Sequence, residues 1–346
     1  MLTLSGKKHH DYGNIYFMKA MQLVRKGQSL KLVDVPIPKP RDSEVLIKIV
    51  ACGVCRTDVH IVDGELPNIS YPIIPGHQIV GKVEKAGKDV LRFGLGDRVG
   101  VSWLAWTCGR CRFCQRGQEN LCKMAKFTGR DVNGGFAQYC MANANYCFNI
   151  PIRYDDVSVA PLLCAGIVGY RAYRMVAQLD KIGFYGFGSS AHILIQIAKS
   201  QGKKVYVFTR QNDQEGQKLA WSLGATWVGS SWDYPPQPLE GIVIFAPVGE
   251  LIPQALKVVD KGGVVVCAGI HMSDIPSFAY KLLWGEKILT TVTNLSRKDG
   301  EEFLRLAQKI PLKLNIHRYK FSDINLALSD VREGRINGSA VMVVDY

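Results

Sequence analysis

The hydrophobic rhythm of the chain changes about halfway along. Over the first third, short runs rich in Val, Ile and Gly read as strands: Met21–Val24, Glu44–Val50, Ile79–Lys85 and Arg98–Val101. Turn signals such as P-I-P-K-P, A-G-K-D-V and G-L-G-D separate them, which predicts an irregular β-rich unit. From about Ala165, apolar strands alternate with amphipathic runs. Strands at 182–185, 204–209, 225–228, 241–246, 262–268 and 288–292 are interleaved with helices at 191–201, 213–223 and 249–259. Such alternation predicts βαβ units and a doubly wound parallel sheet of about six strands. The tail from Arg297 carries two helical runs and a last strand at 340–344, which can return to the first unit.

A length of 346 residues suits two domains better than one. No segment approaches the roughly 18 consecutive apolar residues that a membrane span requires. The first 17 residues lack the continuous apolar core and cleavage site of a signal peptide, so a cytoplasmic location is expected. Patterned sequence begins at Met18, and residues 1–17 are expected to be an extension without fixed structure. Net charge is +13, from 43 basic and 30 acidic residues. Outside one cysteine-rich loop the basic residues do not cluster with aromatic platforms, so the excess reads as a solvated surface rather than a nucleic-acid face. A polyanionic cofactor gives local positive charge a better reason. Ten cysteines in a reducing compartment point to metal ligation before disulfides.

Cys108, Cys111, Cys114 and Cys122 form C-x2-C-x2-C-x7-C. Four thiolates close a tetrahedral zinc site with no open position, so the expected role is structural. Paired disulfides or an iron–sulfur cluster are the alternatives, and a zinc ribbon of an interaction module would look the same in isolation. Zinc held by four thiolates carries a charge of −2, which Arg110, Arg112, Arg116 and Lys123 can offset.

Residues 51–60 read A-C-G-V-C-R-T-D-V-H, and residues 75–87 read P-G-H-Q-I-V-G-K-V-E-K-A-G. With the four-cysteine loop, these motifs resemble the zinc-containing alcohol dehydrogenases of the medium-chain dehydrogenase/reductase superfamily, from about Met18 to the end of the chain. The resemblance implies a GroES-like catalytic domain over residues 18–165 and 295–346, and a Rossmann cofactor domain over 166–294. It implies Cys55, His77 and Cys164 as ligands of a catalytic zinc; Cys164 alone, among Leu and Ala, would read as a buried hydrophobe. It also implies that Thr57 hydrogen-bonds the reacting oxygen and that His60, near the surface, ends the proton relay, since imidazole titrates near neutrality. Asp58 is expected to orient His77 by accepting its other ring N–H, although a turn aspartate is its bland reading. Arg56 is expected at the cofactor pyrophosphate, or else is a surface charge. Cys52 is read as packing. One departure is Gln78, where the family often has Glu; the metal surroundings become less negative.

Gly186, Gly188, Ser189, Ser190 and Ala191 lie in G-F-G-S-S-A, a match to the dinucleotide fingerprint between a strand and a helix. The glycines permit the turn and the approach of the pyrophosphate, and Ala191 permits close packing. The next strand ends at Thr209 and Arg210, where an NAD enzyme usually has an acidic residue for the ribose hydroxyl. A guanidinium suits a 2′-phosphate, so NADP(H) is expected over NAD(H); an exposed strand-end arginine is the alternative. The family's second pyrophosphate arginine is replaced by Ser339, with Arg335 as a possible substitute. Trp103 and Leu104 resemble pocket-lining positions, with Leu283 and Trp284 as further candidates, and core packing is the competing reading for each.

The expected activity is hydride transfer between NADP(H) and a small primary alcohol or aldehyde, with two zinc ions per subunit, in a homodimer or homotetramer. The alternatives are an NAD(H)-dependent zinc dehydrogenase for secondary alcohols, polyols or threonine, a zinc-free quinone reductase of the same superfamily, and, remotely, a zinc-ribbon nucleic-acid-binding protein.

Overall fold

The computed structural model describes residues 16–346. Of the extension expected over residues 1–17, residues 1–15 lie outside the described residues. Phe17 instead opens the strand Phe17–Gln22, and the Tyr16 carbonyl accepts from the Ile37 amide (2.8 Å). The antiparallel strand Lys31–Pro36 supplies the pairing that draws the ladder back to these residues.

Six parallel strands form the sheet expected in the second half. Their order is Trp227–Ser230, Lys204–Thr209, Lys181–Tyr185, Leu239–Ile244, Val259–Cys267 and Ile288–Thr291. The inner strands carry continuous apolar runs because helices cover both faces; Ile182, Phe184, Val205, Val207, Ile242 and Val243 are all fully buried. Chain order reverses between Lys181–Tyr185 and Leu239–Ile244, the switch point at which a crevice opens beyond the carboxyl ends of the strands. The mixed α/β class and its Rossmann-like sheet are as the alternation predicts.

The β-rich half is built on a second sheet, ordered Ile316–Lys320, Ser339–Val343, Glu44–Val54, Gln78–Ala86, Arg98–Val101 and Cys147–Asn149, with Tyr139–Asn143 also pairing Glu44–Val54. The tail does return: Ser339–Val343 runs antiparallel to Glu44–Val54. The helix Arg297–Lys309 packs on the helix Ala165–Arg174, and Phe303 and Leu304 share one buried core with Ile182 and Leu194.

That helix starts with a capping box. Ser296 Oγ accepts from the Asp299 amide and Asp299 Oδ2 accepts from the Ser296 amide. The Asp299 carboxylate also meets Arg171 (2.6 Å) and Arg174 (2.7 Å). Burial acts to raise its carboxyl pKa, but hydrogen bonds from Ser296 and the arginines outweigh burial and hold it below the usual range. Asp299→Ala should therefore cost roughly 3 kcal/mol at pH 7, because it leaves the guanidinium groups without their buried partner. A group with a depressed folded-state pKa stabilises above its unfolded value of about 3.9 and loses that contribution as pH falls through the folded value. Urea titrations should show the deficit in full at pH 7 and a smaller one in strong acid; a deficit independent of pH would contradict the electrostatic account.

Candidate active site

Three separate segments bring Cys55, His77 and Cys164 together, with one ligand atom from each lying within 4.8 Å of the others. Cys55 is the N-cap of the helix Arg56–Asp63, and its Sγ accepts from the Thr57 amide (3.4 Å). His77 sits just before the strand Gln78–Ala86, behind Gly76 in the left-handed region (φ 95°). Cys164 ends a 3-10 turn and starts the helix Ala165–Arg174. His77 Nε2 lies 3.4 Å from Cys55 Sγ and 3.3 Å from Cys164 Sγ. Tetrahedral zinc with ordinary Zn–S and Zn–N bonds requires S···N separations of roughly 3.5 Å, so the donor set fits that ion.

Asp58 organises this cluster from beneath. It is fully buried; its Oδ1 accepts from His77 Nδ1 (3.0 Å) and the Gly76 amide (3.1 Å), and its Oδ2 accepts from the Cys55 amide (3.0 Å). One carboxylate thus completes the capping box of the first helix and turns Nε2 of the imidazole toward the two sulfurs. The charges show what the cluster prefers. The Cys164 hydrogen bond pulls the Cys55 thiol well below its ordinary value, with His77 adding to the effect against burial. Burial alone would lower the His77 value, but Asp58 and the Cys55 thiolate raise it to about 10. Cys164 is pushed up by Cys55 and by burial. Two sulfurs and an imidazole that share protons at such short range are a set that a divalent cation can enter by displacing those protons.

The second cluster, Cys108, Cys111, Cys114 and Cys122, also falls within 4.8 Å. Its Sγ separations are 3.6 Å (Cys111 to Cys114), 3.6 Å (Cys122 to Cys108) and 4.0 Å (Cys108 to Cys114). Four thiolates on one tetrahedral zinc lie roughly 3.8 Å apart. Backbone N–H groups of Arg110 and Cys111 lower the Cys108 thiol to about 6. All ten cysteines are free thiols, so the disulfide alternative finds no support in the geometry. The lobe is tied to the rest of the chain by Glu119, whose carboxylate pairs with Arg297 (2.7 Å), and by Asn120, which donates to the Thr293 carbonyl (2.9 Å).

The glycine fingerprint lies at the carboxyl end of Lys181–Tyr185. Gly186 adopts φ 86°, and a Cβ there would stand 3.0 Å from the Ala246 amide nitrogen, so no other residue fits without strain. Gly188 is the N-cap of the helix Ser189–Ser200, and nothing lies within 4 Å of a Cβ built on it. That open space at a helix N-terminus is where a pyrophosphate would sit. Ala191 is fully buried, and a Cβ on Gly169 of the neighbouring helix would lie 3.2 Å from the Ser190 Cβ. Ser339 reaches the same loop from the last strand, its Oγ 2.5 Å from Ser189 Oγ. Arg335 does not substitute there, because Asp330 and Glu333 hold its guanidinium.

Thr209 is buried; its hydroxyl accepts from Gln217 Nε2 (3.0 Å) and donates to the Arg210 carbonyl (3.1 Å). Arg210 is exposed, its guanidinium lies beside Gly334, and among the described residues no carboxylate lies within 4.0 Å of it. Asp213 is occupied as the N-cap of the next helix, accepting from the Gly216 amide (3.0 Å). Arg56 donates to the Arg332 carbonyl (2.9 Å) at the end of the helix Ile324–Glu333.

Several placements differ from expectation. His60 is 8% exposed, not a surface residue: the Glu65 carboxylate contacts its Nδ1, and the His271 ring packs on it at 4.7 Å between centroids. Trp103 meets His77 edge-on (5.0 Å) and stacks on Phe127 (5.1 Å), whereas Leu104 is buried in the core. Leu283 and Trp284 are at the wrong end of the sheet. The Gly262 amide donates to the Gly285 carbonyl, which fixes their loop at the amino end of Val259–Cys267, opposite the crevice. Gln78 lies over Gly53, where a Cβ would stand 2.7 Å from its Oε1. Cys52 is fully buried, in keeping with packing. Glu65 and His271 were not singled out from the sequence. The left-handed Gly64 before Glu65 was the available signal for the first; nothing local marks the second.

Comparison with known proteins gives the same direction. Residues 41–152 match the family model of the alcohol dehydrogenase GroES-like domain. "Probable alcohol dehydrogenase AdhA" of Mycobacterium tuberculosis is 41% identical over 339 residues, which covers 94% of this chain and 97% of that one. An alcohol dehydrogenase of Moraxella sp. is 36% identical over 343 residues, covering 95% and 99%. The solved structure of a cobalt- and zinc-bound thermostable alcohol dehydrogenase from Pyrobaculum aerophilum superposes with a TM-score of 0.85 at 25% identity, over 95% of this chain and all of that one. Identity of this extent along nearly the whole length makes the chain a member of the zinc-type medium-chain alcohol dehydrogenase family, an enzyme of the nicotinamide-dependent oxidoreductases.

Proposed function

We propose that this alcohol dehydrogenase interconverts small primary alcohols and aldehydes with NADP(H), using zinc held by Cys55, His77 and Cys164 and a second, structural zinc held by Cys108, Cys111, Cys114 and Cys122. The observation that carries the reading is the convergence of the three ligand atoms, with Asp58 on the far nitrogen of His77, from segments spread between residues 55 and 164. When bound, zinc supplies Lewis acidity at the alcohol or carbonyl oxygen and the nicotinamide exchanges the hydride.

The chain's own residues do the rest. Asp58 keeps the His77 ring turned to the metal position. Thr57, half-buried one helical turn before His60, orients the reacting hydroxyl, and His60 receives its proton. Trp103, against the edge of His77, forms a flat apolar wall that favours unbranched substrates. Gly186, Gly188, Ser189 and Ser190 bind the pyrophosphate, with Ser339 beside Ser189 taking the place of a second arginine. Residues 18–165 with 295–346 form the catalytic domain, and 166–294 the cofactor domain. No helix of the described residues is long and apolar enough to cross a membrane. The exposed Ile275, Tyr280, Trp284 and Ile288, near the edge strand Ile288–Thr291, support a homodimer or a larger homo-oligomer.

Arg210 carries the choice of cofactor because it is exposed, free of a carboxylate among the described residues, and placed at the end of the strand after the fingerprint. Arg210→Asp should lower the ratio of kcat/KM for NADPH to that for NADH by roughly 100-fold, about 3 kcal/mol for a charge-assisted contact. Parallel aldehyde-reduction assays with the two cofactors measure it. An unchanged ratio would place 2′-phosphate recognition elsewhere.

A further inference from the structure

The helix Arg56–Asp63 ends in a way that bears on His60. Gly64 takes φ 75° and its amide donates to the Ile61 carbonyl, while the Glu65 amide donates to the His60 carbonyl (3.0 Å). This is a Schellman turn, which folds the residue after the glycine back over the last helical turn. Such turns commonly place an apolar contact between those two side chains. Here the pair is His60 and Glu65, so the backbone delivers a carboxylate to an imidazole. Glu65 touches Nδ1, whereas Nε2 is buried without a hydrogen-bond partner. The His60 side chain is 11% exposed and that of Glu65 is 50% exposed.

We propose that Glu65 is a positioning residue for proton transfer: its carboxylate accepts the Nδ1–H of His60, fixes that tautomer and leaves Nε2 as the bare base on the buried side. The inference rests on the reading of His60 as the group that receives the substrate's proton. In alcohol oxidation the incoming proton binds the Nε2 lone pair, and the ring then carries one proton on each nitrogen. The Glu65 carboxylate balances the new positive charge. Loss of the Nε2 proton to water restores the starting ring, and no bond between heavy atoms is made or broken. A carboxylate that sets tautomer and orientation from the far nitrogen is the logic of the hydrolase triads.

The neighbours are compatible with this role. The His271 ring covers His60 from the carboxyl edge of the parallel sheet, in the left-handed region (φ 53°), and makes ring contact rather than a hydrogen bond. Around Glu65 the charged groups are Asp63, Arg332, which pairs with Asp63 (2.6 Å), and Lys26, whose side chain packs on Gly64. Arg332 makes its close ion pair with Asp63 and acts on Glu65 only through charge at longer range, so Glu65 keeps its contact with the imidazole.

The test uses the intact enzyme and the variants Glu65→Gln, Glu65→Asp and His60→Gln. Glu65→Gln is near-isosteric at a half-exposed side chain, but its amide can donate to Nδ1 and favour the wrong tautomer. We expect kcat to fall about 10-fold with cofactor KM within twofold, short of the roughly 100-fold or more that a complete acid–base group supplies. Glu65→Asp should recover part of the loss. Long-range 15N–1H spectra of the His60 ring should show the Nδ1–H form in the parent and its loss in Glu65→Gln, a change that general destabilisation would not produce. Parent kcat and an unaltered ring spectrum in Glu65→Gln, beside a slow His60→Gln enzyme, overturn the role of Glu65 alone. Parent kcat in both variants removes the reading of His60 as well.

Discussion

Cys55→Ser should abolish turnover while the protein remains folded. The position separates two roles of one side chain. As N-cap, Cys55 accepts the Thr57 amide hydrogen bond and starts the helix that carries Thr57, Asp58 and His60. Serine is among the best N-cap residues, so the helix start survives. As the proposed metal ligand, Cys55 would supply a thiolate, and the cluster holds its pKa well below the ordinary value. A serine hydroxyl cannot replace that soft anion. Losing several kcal/mol of charge stabilisation at the reacting oxygen corresponds to a fall in kcat of about 1,000-fold or more. Elemental analysis should find two zinc atoms per chain in the parent and one in the variant, with unchanged far-ultraviolet circular dichroism. Retained turnover would end the assignment of this cluster as the metal centre.

Cys111→Ser should give the opposite pattern, a loss of stability with the catalytic residues untouched. The four-cysteine lobe has only short pieces of regular structure, Arg112–Gln115 and Glu119–Leu121, and four of its residues are the cysteines themselves. With so little apolar burial, the lobe would take its order from the proposed structural zinc, as other small zinc modules do. The lobe also holds Glu119 and Asn120 in place against Arg297 and the Thr293 carbonyl. Freeing it therefore loosens the start of the helix Arg297–Lys309 as well. A loss of about 3 kcal/mol would lower the unfolding midpoint by roughly 4 °C in a chain of this size. Differential scanning calorimetry of parent and variant measures it. A variant of parental stability that lacked activity would show that the lobe is not structural.

The periodicities that set the nucleotide-binding half were plain in the chain. Lys204–Thr209 falls on the residues its pattern predicts and the other parallel strands fall within a few; in the antiparallel sheet Arg98–Val101 also falls where its pattern puts it. Continuous apolar runs between Gly turns leave little else that they could be. The helix Arg56–Asp63 was not legible, because its N-cap is a cysteine and its apolar face is short. Its capping box became visible only through Asp58 in the structure. The start of the first strand was misplaced because Tyr16 and Phe17 are drawn into order by Lys31–Pro36, a partner that local pattern does not reveal.

By itself the sequence determined what depends on near neighbours: the parallel α/β half, the turn of the glycine fingerprint, and the four cysteines whose spacing within 15 residues already brings their sulfurs together. Tertiary structure decided what depends on distant segments meeting. It placed Cys164 87 residues beyond His77 yet 3.3 Å from it, buried His60 under Glu65 and His271, moved Leu283 and Trp284 to the far end of the sheet, and gave Arg335 to two carboxylates instead of a phosphate. Local pattern reports which face of an element is apolar. Which faces and loops then meet is set by the packing of the whole chain, and side chains from different sheets acquire partners only when that packing is complete.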